Sequence, residues 1–151
     1  MLVQLVEKPA NEITALAQAL LIPEVLKHLP DHWQPVTNAE AALNWLNEQQ
    51  AIFHEIQYQH QPAGLVLIHQ PTPDTWYLGF MLLPKFWGQG IASTVVKQVQ
   101  TLAQQAAVKQ IVAGASADNI ASQKLLEKCG FALSQSDDQV YAQWVPDNGV
   151  A

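Results

Sequence analysis

The chain has a single cysteine, Cys129, among 151 residues. A lone thiol makes no intramolecular disulfide and no thiolate-based metal site, so neither staple supports the fold, and a reducing cytoplasm fits. Cations are scarce too: seven Lys and Arg stand against thirteen Asp and Glu, a formal net charge of −6. That is too few positive side chains to neutralise a run of phosphates, which excludes nucleic acid as the main partner. The negative excess exerts a mild pull on cationic molecules such as amines. Long apolar runs are missing: the strongly apolar stretches at 65–68 and 81–83 fall far short of the roughly 20 residues that cross a bilayer. The first nine residues lack the basic start, apolar run and small-residue cleavage site of a secretory signal. A soluble, cytoplasmic chain with no membrane partner is expected.

What is present suffices for a core. The sequence is 49% hydrophobic and holds five Trp, at the length of one ordinary domain. Charged residues make up only 13%, so solubility rests on neutral polar groups, chiefly glutamine, and disorder is disfavoured. No linker, repeat or low-complexity block divides the chain, which predicts one domain over 1–151.

The first third reads as helical. Ile13, Leu16, Ala17 and Leu20 recur at three- and four-residue spacing over 11–21, and a short amphipathic piece follows Pro23. A further helix starts after the cap candidates Thr37 or Asn38, places Ala41, Ala42, Trp45 and Leu46 on one face, and ends near Gln50. From Ala51 the period becomes two: Ile52, His54, Ile56 and Tyr58 share one side of a strand, and Phe53, Glu55 and Gln57 the other. Gln61-Pro62-Ala63-Gly64 reads as a turn, 65–68 as the next strand of a hairpin, Pro71-Thr72-Pro73-Asp74 as a turn, and 75–83 as a third strand. Ile91, Val95, Val99, Leu102 and Ala106 make the stripe of a long helix. A strand over 109–113 follows, then a helix over 119–129 with Asp118 or Ser116 as cap and Gly130 as terminator. A final antiparallel pair runs from Phe131 onward and over 139–144. The order predicts an α/β domain of the α+β type.

Chemistry concentrates where the third strand turns into the long helix: Leu83-Pro84-Lys85-Phe86-Trp87-Gly88-Gln89-Gly90-Ile91-Ala92. The first N–H groups of a helix have no internal partner, and with the helix dipole they make an anion site suited to phosphate or pyrophosphate. Gly88 and Gly90 also serve a tight turn with no ligand at all. There is no Gly-Lys-Ser/Thr ending for a nucleoside triphosphate and no third glycine at the dinucleotide spacing. Downstream, Asn119 stands at a helix start with Ser122 one turn on along the same face, and the helix closes in Gly130-Phe131. By residue type alone these are a cap and a solvated hydroxyl as readily as ligand contacts.

Together the two segments resemble the GCN5-related N-acetyltransferase (GNAT) superfamily. Its acyl-CoA loop reads Gln/Arg-x-x-Gly-x-Gly/Ala after a strand, and its downstream helix reads Asn-x-x-Ser/Ala and ends in Gly-Phe. Trp87 stands where Gln or Arg is usual, and Trp-Gly-x-Gly-x-Ala resembles the branch of ribosomal-protein alanine N-acetyltransferases. The resemblance covers about 78–131. It implies a mixed, mostly antiparallel sheet flanked by helices, with a splayed central strand pair that admits the pantetheine arm of acetyl-CoA. It implies that backbone groups of Met81, Leu82 and Leu83 receive the arm, that N–H groups across Gly88, Gln89, Gly90, Ile91 and Ala92 hold the pyrophosphate, and that Asn119 holds the arm from the other side. The partners so implied are acetyl-CoA as donor and an amine acceptor, with a homodimer as a common assembly and no metal. Chemistry in this family is direct attack of a neutral amine on the thioester, with a group protonating the departing sulfur. The family's tyrosine acid matches Leu126 here, which donates nothing, and Ser122 is the replacement. Glu55 and His54 are the candidate bases; they alternate faces, so one points inward, with Glu55 expected at the surface and His54 equally at home as a core histidine. Cys129 is expected to be a small buried hydrophobe. A catalytically inactive acyl-CoA-binding module is the alternative reading.

Overall fold

The computed structural model describes residues 2–146 apart from 28, 30–32 and 118. Four strands follow one another antiparallel: β1 (Val3–Glu7), β2 (Ile52–Tyr58), β3 (Gln61–Thr72) and β4 (Thr75–Leu82). β5 (Gln110–Ser116) then pairs parallel to β4, and β6 (Ala132–Ser136) and β7 (Gln139–Trp144) complete a seven-stranded sheet in the order β1-β2-β3-β4-β5-β7-β6. This is the mixed, mostly antiparallel sheet that the sequence led us to expect. β1 went unread in the sequence: it is five residues long, and its alternation of Val3 and Leu5 is too brief to register. It borders β2 with Leu5 opposite Ile56.

Strand alternation divides the side chains between two cores. Ile56, Val66, Ile68, Leu78 and Leu82 point to one face, against α4 (Ile91–Gln105) and α5 (Ile120–Lys128). Phe53, Leu65, Leu67 and Met81 point to the other, against α1 (Thr14–Leu20), α2 (Pro23–Leu26) and α3 (Ala39–Glu48). α4 buries Ile91, Val95, Val96, Val99 and Ala103; a fully buried Val or Ile contributes about 1.5–3 kcal/mol, so this stripe fixes the helix firmly. The buried face runs through Val96 and Ala103, and the expected Ala106 is the exposed C-cap. α3 starts at Asn38, whose side chain accepts from the Ala41 N–H at 2.8 Å.

The β2–β3 turn is not at 61–64. It is the pair Gln59 and His60, both at positive φ (51° and 65°), and β3 runs on through Pro62, Ala63 and Gly64. Gly64 serves close packing instead: a Cβ there would collide with the Met81 carbonyl oxygen on β4. The register of β2 and β3 slips by one residue between Ile56 and Gln57, a bulge that absorbs Ala63 and turns the strand end. The cap of α5 is also corrected. Asn119 itself accepts from the Ser122 N–H at 3.2 Å; Ser116 is the last residue of β5, and Asp118 lies outside the described residues. Gly130, at φ 91°, ends α5 as expected.

Candidate active site

β4 and β5 pair only from Thr75–Gln110 to Leu78–Ala113, after which both strands continue without each other. β5 keeps β7 as its partner through Ser116, so the separation opens a cleft in the middle of the sheet. The cleft belongs to a cavity of about 1330 Å³ that reaches both faces and is lined by Gly79 to Leu82, Gly90 to Ser93, Ala113 to Ala115, Asn119 and Ser122. Small residues on β5 keep it clear, with Gln139 Nε2 already 2.9 Å from where a Cβ of Gly114 would stand.

Antiparallel pairing decides which backbone groups of β4 face the cleft. Bonded pairs alternate with non-bonded ones along such a ladder. The Leu83 N–H donates to the Ala63 carbonyl at 2.8 Å, and in that register Met81 and Gly79 turn their N–H and C=O groups toward β3. Phe80 and Leu82 turn theirs toward the cleft. The Leu83 carbonyl accepts from the Phe86 N–H at 2.9 Å. The Leu83 N–H is thus spent on β3, while its carbonyl oxygen keeps a second lone pair; the Met81 side chain is buried in the α1–α3 core.

The loop after β4 is built to stay open. A 3-10 turn, Pro84–Phe86, leads to Trp87, whose indole Nε1 donates to the Leu82 carbonyl at 2.9 Å. Gly88 and Gly90 both take positive φ, 73° and 79°, a conformation that costs other residues roughly 1–2 kcal/mol. Gln89 braces the turn from outside, its Nε2 donating to the Lys85 carbonyl at 2.9 Å. Gly90 is the N-cap of α4 and supplies no side chain to it. The N–H groups of Ile91, Ala92 and Ser93 thus lack intrahelical partners, and the Ser93 and Thr94 hydroxyls turn away to the Gly90 carbonyl, at 3.1 and 3.2 Å. Helix dipole and unpaired donors together make a seat for an anion beside the cleft.

On the other side of the cleft, Asn119 spends its carbonyl oxygen on the cap and keeps its amide nitrogen. Ser122 lines the cavity, and its hydroxyl has no hydrogen-bond partner among the described residues. Leu126 is 1% exposed and belongs to the α4 core. Cys129 is buried beneath the end of α5, where desolvation raises its pKa against the pull of Lys97 and Lys128.

Neither candidate base lies on the cavity. Glu55 is buried, contrary to expectation, because it pairs with Lys8 (3.2 Å) and accepts from Gln57 Nε2 (2.6 Å) on the α1–α3 face. His54 points to the opposite face next to Glu7; its Nδ1 is buried without a hydrogen-bond partner among the described residues, and desolvation lowers its pKa more than the Glu7 carboxylate raises it. The titratable groups that reach the cavity from the sheet are His69 on β3 and Tyr77 on β4. Sequence reading missed both. The one available signal was parity: His69 falls in step with Leu65 and Leu67, and Tyr77 with Met81.

Comparison with known proteins agrees with this geometry. The family model of the GNAT acetyltransferase domain matches residues 2–132. No curated protein matches by sequence. Among solved structures the chain is similar to RimL, a ribosomal alpha-N-protein acetyltransferase, in complex with coenzyme A: TM-score 0.82, 22% identity, 96% of this chain and 94% of that one covered. It is similar to an acetyltransferase from Salmonella typhimurium that modifies the N-terminal serine of a 50S ribosomal subunit protein: TM-score 0.78, 20% identity, 96% and 95% covered. It is also similar to YncA from Salmonella typhimurium with its cofactor acetyl-CoA: TM-score 0.75, 15% identity, 99% and 96% covered. With the splayed strands, the open loop and the family model in agreement, the chain belongs to the GNAT acetyltransferase family.

Proposed function

We propose that the whole chain is one acyl-CoA N-acyltransferase domain that moves an acetyl group from acetyl-CoA to a primary amine by direct attack on the thioester. The observation that carries this reading is the continuity of the β4–β5 cleft with the unpaired N–H groups at the start of α4. A pantetheine arm is a chain of amides and needs backbone partners at intervals; Phe80 and Leu82 offer them along β4 as a strand edge does. Ile91, Ala92 and Ser93 suit the pyrophosphate, with Gly88 and Gly90 leaving room for it. Asn119 Nδ2 faces the arm from the α5 side. Acetyl-CoA supplies the activated acyl group; the protein positions it, polarises its carbonyl with β4 N–H groups, and excludes competing water. Ser122 protonates the departing sulfur, directly or through a water, in the place where Leu126 has no proton to give.

The buried Leu126 favours one second reading, a binding module without turnover. Thiol release from acetyl-CoA in the presence of amines separates the two. Amine-dependent release supports the enzyme, whereas saturable acetyl-CoA binding with no release above the amine-free rate supports the module.

A further inference from the structure

His69 and Tyr77 lie opposite each other on β3 and β4, with ring planes 9° apart and centroids 6.2 Å apart. They stand on the α1–α3 face of the sheet, Tyr77 two residues before Gly79, where the cleft opens. His69 Nδ1 is 3.1 Å from the Gln50 carbonyl oxygen. A carbonyl only accepts, so Nδ1 carries the hydrogen and the lone pair is on Nε2. Nε2 has no hydrogen-bond partner among the described residues, and the ring lines the cavity. The arrangement is that of an imidazole held in one tautomer with its basic nitrogen unoccupied.

Apolar side chains contribute much of the lining. Leu29, Trp33 and Leu67 also line the cavity, and Trp33 is held edge-on by Trp45 at 5.2 Å. The charged groups on the cavity are Glu24 and Lys27 at α2, Lys124 and Lys128 on α5, and Asp138 at the β6–β7 turn. Next to His69 and Tyr77 on this face of the sheet stand Leu67, Gly79 and Met81, whose side chains offer neither charge nor hydrogen bond, so the further amides of a peptide or the further charges of a polyamine laid there lose hydration that these side chains do not replace. An apolar body with one amine meets no such cost.

We propose that the acceptor is a primary amine borne on an apolar body of aromatic size, and that His69 Nε2 is its proton acceptor. This rests on the acetyl-transfer reading above. Nε2 takes one proton from the ammonium, and the freed nitrogen lone pair forms the bond to the thioester carbon. The carbon–sulfur bond breaks, Ser122 passes its hydroxyl proton to the sulfur to give CoA thiol, and the second nitrogen proton restores the Ser122 hydroxyl. The products are the N-acetyl amine, CoA and one proton on His69.

The test is thiol release with phenethylamine, spermidine and a peptide beginning in serine, for the native protein and His69→Gln. Glutamine can still donate to the Gln50 carbonyl but has no basic nitrogen. The expected result is a kcat/KM for phenethylamine at least tenfold above both other amines. His69→Gln should lower kcat on phenethylamine at least tenfold, leave the acetyl-CoA Kd unchanged, and remove the acid limb of the pH profile. Preference for spermidine or the peptide, or no release with any of the three by a protein that binds acetyl-CoA, overturns the proposal without a variant. So does a His69→Gln protein as active as the native one, or slower with the same pH profile. Failure of the native protein to bind acetyl-CoA would remove the acetyl-transfer reading itself.

Discussion

Trp87 donates its indole N–H to the Leu82 carbonyl at 2.9 Å, so the residue in the Gln/Arg place of the loop motif ties the loop to the strand it leaves. The bond closes one carbonyl on the cleft edge while the Leu82 and Phe80 N–H groups stay available. Trp87→Phe keeps the ring and removes the donor. Loss of one neutral hydrogen bond costs about 0.5–1.5 kcal/mol, and because the bond fixes the loop, the expected effect is a several-fold weaker acetyl-CoA Kd by titration calorimetry. Equal affinity would mean that the loop holds its shape without this bond.

Gly90→Asp places a side chain and a negative charge at a position of φ 79° beside the unpaired donors of α4. Acetyl-CoA binding should be abolished. Gly90→Ala carries the backbone strain without the charge, roughly 1–2 kcal/mol, and should weaken binding less than the aspartate does. Unchanged affinity in the aspartate variant would remove the loop from the anion site.

Ser122→Ala should lower turnover while leaving acetyl-CoA affinity nearly intact, since the assigned role is proton delivery and not holding the ligand. Steady-state kinetics beside a binding isotherm reads both quantities. Full activity would take Ser122 out of the mechanism.

His54 makes stability depend on pH. Burial lowers its pKa from 6.5, so above pH 6.5 the ring is neutral in both folded and unfolded chains and its contribution is fully present. As pH falls below 6.5 the unfolded chain takes up the proton first, and stability is lost progressively until the folded-state pKa is passed. Chemical denaturation across that window should show a decline that is shallower in His54→Gln. Parallel slopes would place the pH dependence elsewhere.

Gly64→Ala tests the close approach of β3 and β4. A Cβ meets the Met81 carbonyl, and backbone has to move to admit it, so the melting temperature should fall by several degrees, on the order of 1–3 kcal/mol for an overpacked site. An unchanged melting temperature would show that the two strands can part there freely.

The helix α4, the pairing of β2 with β3 though not the place of its turn, and the loop with its two glycines were legible because period and a local motif lie within short windows. Other features depended on contacts distant in sequence. Glu55 looked like a surface carboxylate until Lys8, 47 positions away, came to pair with it. Gly64 looked like a turn glycine because nothing local reveals the Met81 carbonyl. The bonds of Leu83 to Ala63 and Phe86, and the N–H groups that β4 has left over, show only in the register of β3 on β4. His69 and Tyr77 had no motif to mark them; the sheet brings them side by side.

Thermal unfolding of the protein alone, with acetyl-CoA, and with ATP or NAD tests most directly whether the cleft and the α4 donors form an acyl-CoA site, because it needs no acceptor. At a hundredfold excess over Kd, a ligand adds about 2.7 kcal/mol, a rise of roughly 5 to 10 °C for a chain of this size. A rise with acetyl-CoA and none with ATP or NAD is the expected result. No rise at millimolar acetyl-CoA would contradict it, leaving Gly88 and Gly90 as a turn between a strand and a helix.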